Sequence, residues 1–303
     1  MDRLYEAVAE KGPVCVGLDT APDYLPPLER ARYAGDADAV LAYNRAIIDA
    51  TAAAAACYKI QIAYYEVLGV AGLECYAKTL ALARERGVPV IADIKRGDIA
   101  DTARQYASAH FSGGFEADFV TLSPYMGMDS IAPWFTWAET KGKGAFVLMR
   151  TSNRGMLDFE HLELRGPAPD GSAAPRRVYD AVGEKLAALA ETLGGVHGYG
   201  AFGAVVGADP KSDDERKEAQ RLRSRYAGLF FLIPGYGAQG GGAADAALLL
   251  RDGNGGVVNA SRSILKAWTK AAGADTADFA FAAGAARRAA EEMRDALRDA
   301  AER

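Results

Sequence analysis

The sequence predicts a single α/β domain over residues 1–303, folded as a (β/α)8 TIM barrel with a parallel eight-stranded core. Apolar runs of five or six residues recur about eight times, as expected for parallel strands buried on both faces. Longer Ala-, Leu- and charge-rich stretches with helical periodicity separate them. A doubly wound sheet would need a Gly-rich turn after its first strand, and GLDTAPDYL lacks one. A closed barrel therefore fits better.

The elements are predicted in chain order. The strands are VCVGL (14–18), CYKIQI (57–62), PVIADI (89–94), DFVTL (118–122), AFVLMR (145–150), GAVVGA (203–208), LFFLI (229–233) and GVVNA (256–260). Crossover helices are predicted within 35–55, 71–86 and 178–194. Residues 158–177 are rich in Pro, Gly and polar side chains and predict a long loop after the fifth strand. Residues 277–303 predict a terminal amphipathic helix.

Composition narrows the class of function. The net charge of -5 argues against a nucleic-acid or membrane-surface binder, because no excess of Lys and Arg is available to neutralise phosphates. Cys15, Cys57 and Cys75 form no CxxC pair, which favours a reducing cytoplasm over a disulfide framework. The first residues, MDRLYEAVAEKGP, carry alternating charge rather than the apolar core of a signal peptide. We therefore expect a cytoplasmic protein without a membrane span.

Charged residues gather at the predicted strand ends, where barrels carry their active sites. Asp93 and Lys95 are two positions apart at the end of the third strand, so both point to one face. Asp98 follows after a short Gly-containing turn, and this spacing predicts that it returns to the same area. Asp19 ends the first strand, and Lys59 lies inside the second, where a buried lysine needs an acidic partner. These five residues are the candidate charged cluster.

A purely structural interpretation of DIKRGDIADT stays open beside this one. The segment could be a solvated strand–helix connection in which Asp98 or Asp101 caps the following helix. Capping suits Asp101, but it does not explain paired charges at the mouth of a barrel, where burial is costly without a partner. The functional interpretation is therefore favoured.

A second candidate site follows the last two strands. The seventh strand is followed by five glycines: Gly235, Gly237, Gly240, Gly241 and Gly242. By composition alone, a merely flexible loop is an equally good interpretation. Arg262, just past the eighth strand, favours a phosphate site, because the loops after strands seven and eight often bind phosphate in barrels. Arginine also binds phosphate through two parallel hydrogen bonds.

The segment ADIKRGDIADTA resembles the D-x-K-x-x-D-I signature of the orotidine 5'-phosphate decarboxylase family, including the Thr four residues after the second Asp. Further motifs typical of that family occur in the expected order: GLDT, YKIQIAYYE, TSN, PGYGAQGGG and NASRSI. The resemblance covers nearly the whole barrel and is greatest to the longer bacterial subfamily. It implies decarboxylation of orotidine 5'-monophosphate to uridine 5'-monophosphate in pyrimidine biosynthesis, with no cofactor and no metal.

The resemblance also implies a role for each matching residue. Lys95 protonates the carbon that loses carbon dioxide, and Asp93 lies beside the substrate carboxylate. Lys59 binds ribose and ties the acidic network together. Asp98 and Thr102 reach into the neighbouring subunit's site, which implies a homodimer with shared active sites. The remaining implied contacts are to substrate: Asp19 to the ribose hydroxyls, Ser152 to the pyrimidine, Gln239 and Arg262 to the phosphate, with Gly240 and Gly241 in the loop that closes over it.

One departure and two alternatives accompany this resemblance. Arg154 follows TSN where relatives commonly have proline, so the conformation of this loop does not follow from the resemblance. A related decarboxylase or synthase acting on sugar phosphates would share D-x-K-x-x-D but use magnesium. A barrel that only binds a nucleotide or sugar phosphate is the third possibility, although it has no evident need for a buried proton donor. His110, His161 and His197 form no ligand set for a catalytic metal, and surface or capping roles are expected for them.

Overall fold

The computed structural model of the chain describes residues 1–166, 175–208, 210–237 and 241–302. Eight parallel strands close into a barrel in chain order, and the eighth pairs with the first. The predicted barrel is therefore confirmed. The strands are β1 (Val14–Gly17), β2 (Cys57–Gln61), β3 (Val90–Arg96), β4 (Phe119–Leu122), β5 (Gly144–Arg150), β6 (Phe202–Val206), β7 (Phe231–Ile233) and β8 (Gly256–Ala260).

Every predicted strand is present, but the bounds differ where a local feature overrides the apolar pattern. Strand β3 continues to Arg96 rather than ending at position 94, because it pairs with β4 again after an irregularity. Strand β7 begins at Phe231, two residues later than predicted. Leu229 and Phe230 are fully buried before that strand, so their apolar character reflects burial rather than sheet pairing.

Helices cover the outside of the barrel. The α-helices are α1 (Asp2–Lys11), α2 (Pro27–Arg30), α3 (Asp36–Thr51), α4 (Ala63–Glu66), α5 (Gly69–Glu85), α6 (Ala100–Phe111), α7 (Phe135–Lys141), α8 (Met156–Phe159), α9 (Val178–Thr192), α10 (Asp213–Arg225), α11 (Ala243–Ala247), α12 (Arg262–Leu265) and α13 (Phe279–Ala301). Short 3-10 helices span Pro22–Tyr24, Met128–Ser130, Ala132–Trp134, Ala267–Lys270 and Ala274–Thr276. The three predicted crossover helices correspond to α3, α5 and α9. Within the described residues, every helix is too short or too polar to span a bilayer.

The predicted terminal helix is confirmed as α13. It begins after Asp278, whose side chain accepts a hydrogen bond of 2.7 Å from the backbone N–H of Phe281. This contact satisfies one of the free N–H groups at the helix start. Its apolar face, which includes Ala282, Ala286 and Met293, is buried, and the helix packs against α3.

The predicted loop at 158–177 contains some regular structure where it is described. Helix α8 occupies its first two residues, and an antiparallel bridge joins Glu163 to Arg177. The bridge brings the two ends of the loop together just before α9. Residues 167–174 of this loop lie outside the described residues.

The barrel interior follows the two-residue period of its strands. On β2, Cys57 is packed in the apolar lower core, whereas Lys59 and Gln61 line a cavity above it. Helix α1 closes the opposite, N-terminal end, because Leu4 and Val8 pack into the same lower core. The apolar lower half of the interior therefore supports a polar upper half.

Candidate active site

Four of the five predicted charged residues meet at the C-terminal ends of β1, β2 and β3. The ammonium of Lys59 donates hydrogen bonds of 2.9 Å to Oδ1 of Asp19 and 2.9 Å to Oδ2 of Asp93. The ammonium of Lys95 donates to the other oxygen of Asp93, at 2.6 Å. These four residues form a charged row in which acidic and basic side chains alternate, in the order Asp19, Lys59, Asp93 and Lys95. Alternation of this kind stabilises buried charges.

The hydrogen bonds and charges of this row set the ionisation of its buried members. Burial favours the neutral form of Asp93, but Lys59 and Lys95 outweigh burial and hold the pKa of this carboxyl well below its usual range. Burial also opposes the charge of Lys59, yet Asp19 and Asp93 raise the pKa of its amine well above the ordinary value. Both groups are therefore charged at neutral pH.

Two further side chains extend the row at its Asp19 end. Ser261 donates a hydrogen bond of 2.8 Å to Oδ2 of Asp19, and Asn259 donates one of 3.4 Å to the hydroxyl of Ser261. Gly17 makes room for this contact, because a Cβ at that position would overlap the Ser261 hydroxyl. Both carboxylate oxygens of Asp19 are thereby fixed.

The backbone around Lys95 is unusual for a strand. Lys95 has φ 45°, in the left-handed region that side chains other than glycine seldom adopt. Pairing between β3 and β4 shifts register between Ala92 and Arg96. The hydroxyl of Thr121 on β4 accepts hydrogen bonds from the N–H groups of Ile94 and Lys95 at this irregularity. Such backbone strain is concentrated at functional sites in proteins.

A cavity of about 410 Å³ opens above the row of charges. Its floor is apolar, formed by Leu148, Val205 and Leu232, which would suit the face of a flat ring. Among the described residues that line the cavity, two are acidic and three are basic, so it carries a net positive charge suited to an anion. These charged residues are Asp19, Lys59, Asp93, Lys95 and Arg262.

The predicted substrate-binding residue Ser152 also lines the cavity, on the loop after β5. Neighbouring Thr151 is held through two hydrogen bonds of 2.8 Å to the Glu160 carboxylate, from its N–H and from its hydroxyl. Gly207 permits the close packing of β6 beneath, because a Cβ there would press against Ser152. Arg154 is exposed and begins the turn into α8, so the departure from the proline pattern is accommodated at the surface.

The prediction that Asp98 returns to the charged row of its own chain is wrong. Its carboxylate accepts a hydrogen bond of 2.8 Å from the N–H of Ile99, and it is not among the described residues that line the cavity. Thr102 is exposed on α6 and likewise lies outside the lining. The physical reason is that the backbone bends at Lys95 and β3 runs on to Arg96, so Asp98 lies in the connection to α6 and not on the interior face of the strand.

The helix after β3 is not capped as the structural alternative predicted. The position before its first residue is Ile99, and no side chain caps it. Asp101 lies within the first turn and forms an ion pair with Arg104. The acidic residues of DIKRGDIADT therefore do not serve as caps.

The glycine-rich segment after β7 is described at both ends. Gly235 and Gly237 have φ of 113° and 73°, a conformation that glycine adopts without strain. Gly241 is buried at the base of the segment and donates a hydrogen bond of 3.2 Å to the carbonyl of Gly235. Gln239 and Gly240, two of the predicted substrate-binding residues, lie outside the described residues.

Sequence reasoning missed several residues at the cavity. Gln61 could have been found, because it is two positions beyond Lys59 on the same strand face. Tyr24, Tyr64 and Tyr236 also line the cavity, and they lie in segments with no periodic signal.

Among the histidines, His110 is buried against Phe115 rather than exposed, and burial lowers its pKa to about 4. The expected surface or capping role is therefore wrong for His110.

Known proteins of one family resemble this chain over nearly its whole length. A sequence model of the orotidine 5'-phosphate decarboxylase / HUMPS family matches residues 12–277. Orotidine 5'-phosphate decarboxylase of Clostridium perfringens (strain SM101 / Type A) is 50% identical over 299 residues, 99% of this chain and 98% of that protein. The protein of the same name from Clostridium tetani (strain Massachusetts / E88) is 51% identical over 270 residues, which cover 89% of this chain and 89% of that protein. The structure of Leishmania donovani OMP decarboxylase is similar with a TM-score of 0.74 and 30% identity, covering 100% of this chain and 98% of that one. The chain belongs to the orotidine 5'-phosphate decarboxylase / HUMPS family.

Proposed function

We propose that this chain decarboxylates orotidine 5'-monophosphate to uridine 5'-monophosphate and carbon dioxide, without a cofactor. The observation that carries the proposal is the Lys95 ammonium at the cavity wall, hydrogen-bonded to a buried carboxylate that Lys59 also holds. Family membership and the names of the relatives at about half identity support the same activity.

The chemistry requires a charge fixed beside the reacting carbon. When the bond between C6 and the carboxylate breaks, its electron pair stays on C6 in an orbital that the pyrimidine ring cannot delocalise. The Lys95 ammonium stabilises that carbanion and then gives it a proton, which leaves a neutral C6–H and a neutral amine. Two unit charges about 4 Å apart interact by about 4 kcal/mol at an effective dielectric constant near 20. Lys95 therefore supplies part of the acceleration.

The other residues of the site bind and orient the substrate. Asp93 lies beside the substrate carboxylate and fixes Lys95, while Lys59 and Asp19 meet the ribose hydroxyls. Ser152 hydrogen-bonds the pyrimidine above the apolar floor. Arg262 binds the phosphate together with the segment after β7, so that binding energy from the phosphate is available at the distant carbon. The positive balance of charge in the cavity supports binding of a nucleotide that carries both a phosphate and a carboxylate.

Asp98 and Thr102 complete the site of a neighbouring copy in a homodimer. Their positions outside their own cavity support this arrangement. Large apolar side chains near the ends of β2, β3 and β4 support it further, since Val67, Ile99 and Tyr125 are exposed by 78%, 46% and 85%. Exposed apolar side chains at one end of a barrel suit contact with a second chain.

We also infer a cytoplasmic location, where the free cysteines Cys15, Cys57 and Cys75 remain reduced.

Turnover of orotidine 5'-monophosphate by the purified protein tests the proposal directly. The reaction is followed by the change in ultraviolet absorbance as the conjugated carboxylate is lost, in the presence and absence of EDTA. We expect equal rates in both conditions. Loss of the rate in EDTA, with recovery on adding magnesium, would contradict a reaction without a metal. Absence of this rate in both conditions, together with magnesium-dependent turnover of a sugar phosphate, would support the sugar-phosphate enzyme. Binding of uridine 5'-monophosphate without any turnover would support a binding protein.

A further inference from the structure

Thr121 is a buried residue of β4 whose hydroxyl group joins the backbone and the side chains of the charged row. It accepts hydrogen bonds from the N–H of Ile94 at 3.0 Å and from the N–H of Lys95 at 2.9 Å. It also donates one of 2.8 Å to Oδ1 of Asp93, the oxygen that Lys95 contacts. A hydroxyl has one proton and two lone pairs, so its whole hydrogen-bonding capacity is used.

The backbone explains why this hydroxyl is needed. Regular pairing between β3 and β4 is interrupted between Ala92 and Arg96. The hydroxyl of Thr121 stands where a strand carbonyl would otherwise accept, and it satisfies two consecutive N–H groups. One of them belongs to Lys95, whose φ of 45° turns the chain at this point. A buried N–H without an acceptor is unfavourable, so the hydroxyl stabilises this bent conformation.

We propose that Thr121 is a positioning residue that sets the distance and direction of the Lys95 amine relative to Asp93 and the cavity. A single atom, Oγ1, fixes the backbone from which Lys95 projects and the carboxylate that its amine contacts. Displacement of either partner moves the ammonium away from the reacting carbon. This inference rests on the proposed function, because it assigns Thr121 to the proton donor of that reaction.

The experiment compares Thr121→Val, which has nearly the same shape without the hydroxyl, with Thr121→Ser, which keeps the hydroxyl. We expect Thr121→Val to lower kcat by about 30- to 100-fold, since misplacement by about 1 Å costs up to 10²-fold. KM should change by less than about threefold, because Arg262, Ser152 and Asp19 are untouched. Thr121→Ser should recover kcat to within about threefold of the unsubstituted enzyme, as it restores the same donor and acceptor.

A matched control separates positioning from general stability. Thr51 is also fully buried, and its hydroxyl donates to the carbonyl of Ile47 at 2.7 Å and contacts that of Tyr58 at 3.0 Å. Thr51→Val should lower the Tm while leaving kcat unchanged. Should Thr121→Val not fold, Thr121→Cys keeps a weaker donor and acceptor in a side chain shaped like that of serine. Its kcat should fall below that of Thr121→Ser, and an equal kcat would overturn the inference.

The outcomes separate this inference from the proposed function. If the unsubstituted enzyme is active but Thr121→Val keeps its kcat, or Thr121→Ser loses as much as Thr121→Val, Thr121 is not a positioning residue. If the unsubstituted enzyme does not turn over orotidine 5'-monophosphate, the proposed function fails. Crystal structures of both proteins then decide the inference: an unchanged Lys95 φ, with its amine still within about 3 Å of Asp93 in Thr121→Val, overturns it.

Discussion

The ammonium of Lys95 lies 2.6 Å from Oδ1 of Asp93, although the two side chains differ greatly in exposure, 46% against 7%. The pair therefore crosses the boundary between the protein interior and the cavity. Asp93 is also held from within by Lys59. Removal of the exposed member should affect chemistry, whereas removal of the buried member should affect both chemistry and stability.

Lys95→Ala should abolish turnover while leaving the fold and the affinity for uridine 5'-monophosphate nearly unchanged. A proton donor contributes about 10²–10⁴-fold, and its electrostatic role adds to that, so we expect a fall in kcat of at least about 10³-fold. Absorbance assays and calorimetric titration with the product measure the two quantities. Lys78, an exposed lysine of α5, provides the control, and Lys78→Ala should retain full activity. If Lys95→Ala kept the kcat of the unsubstituted enzyme, Lys95 would not be the proton donor.

Asp93→Asn should lower the free energy of unfolding at pH 7 by about 3 kcal/mol, because it leaves buried Lys59 with only one acidic partner. The pKa of Asp93 is depressed in the folded state. Its contribution is therefore fully present above the unfolded pKa of about 4 and declines as the pH falls below that value.

Urea unfolding of both proteins between pH 7 and pH 3 measures this dependence. The gap in stability should be constant down to about pH 4 and narrow below it. Asp214→Asn, at a carboxylate that is 93% exposed, should show almost no gap at any pH. A gap that widens on acidification contradicts the ion-pair interpretation.

Mixing two inactive variants should restore activity if neighbouring chains share their sites. Lys95→Ala lacks the proton donor, whereas Asp98→Ala lacks the acid that we assign to the partner's site. In a hybrid dimer, one site receives both intact residues, so free exchange should recover about one quarter of the unsubstituted activity. Subunit exchange is verified with differently tagged chains. Absence of recovery in verified hybrids counts against shared sites.

Arg262→Ala should lower kcat/KM for orotidine 5'-monophosphate by about 10- to 100-fold, the value of a charge-assisted hydrogen bond to phosphate. The rate with orotidine, which lacks the phosphate, should be low for the unsubstituted enzyme and unchanged by the substitution. Steady-state assays with both substrates measure the difference. Arg287→Ala, at an exposed position of α13, is the matched control. An equal loss with both substrates would show that Arg262 does not act through the phosphate.

Glu160→Gln should raise KM and lower kcat/KM by about tenfold. The carboxylate accepts from both the N–H and the hydroxyl of Thr151, and an amide can accept only with one oxygen. The loop that carries Ser152, which we propose contacts the pyrimidine, then loses its support. Glu163→Gln, an exposed neighbour in the same loop, should behave like the unsubstituted enzyme. A Glu160→Gln enzyme with normal KM would show that the loop needs no such support.

The strands and half of the site could be predicted because they depend on local pattern. Lys59 stands out as a charge inside an apolar run, and the two-residue period places it on the interior face with Gln61. Asp98 could not be placed, because its direction depends on the bend at Lys95 and the extension of β3 to Arg96. Thr121 gave no signal at all, since a threonine in a strand is ordinary and its partners lie 26 to 28 positions away.

Helix α1 affects how substrate and products reach and leave the cavity. Leu4 and Val8 of this helix pack with the lower core and close the N-terminal end of the barrel. Under the proposed function, carbon dioxide would therefore leave through the open end of the cavity by which the nucleotide enters, in the lining of which Tyr236 and Arg262 lie. In the part of the chain that the structure describes, the lower core closes the other end of the barrel, so substrate entry and product release would share one route.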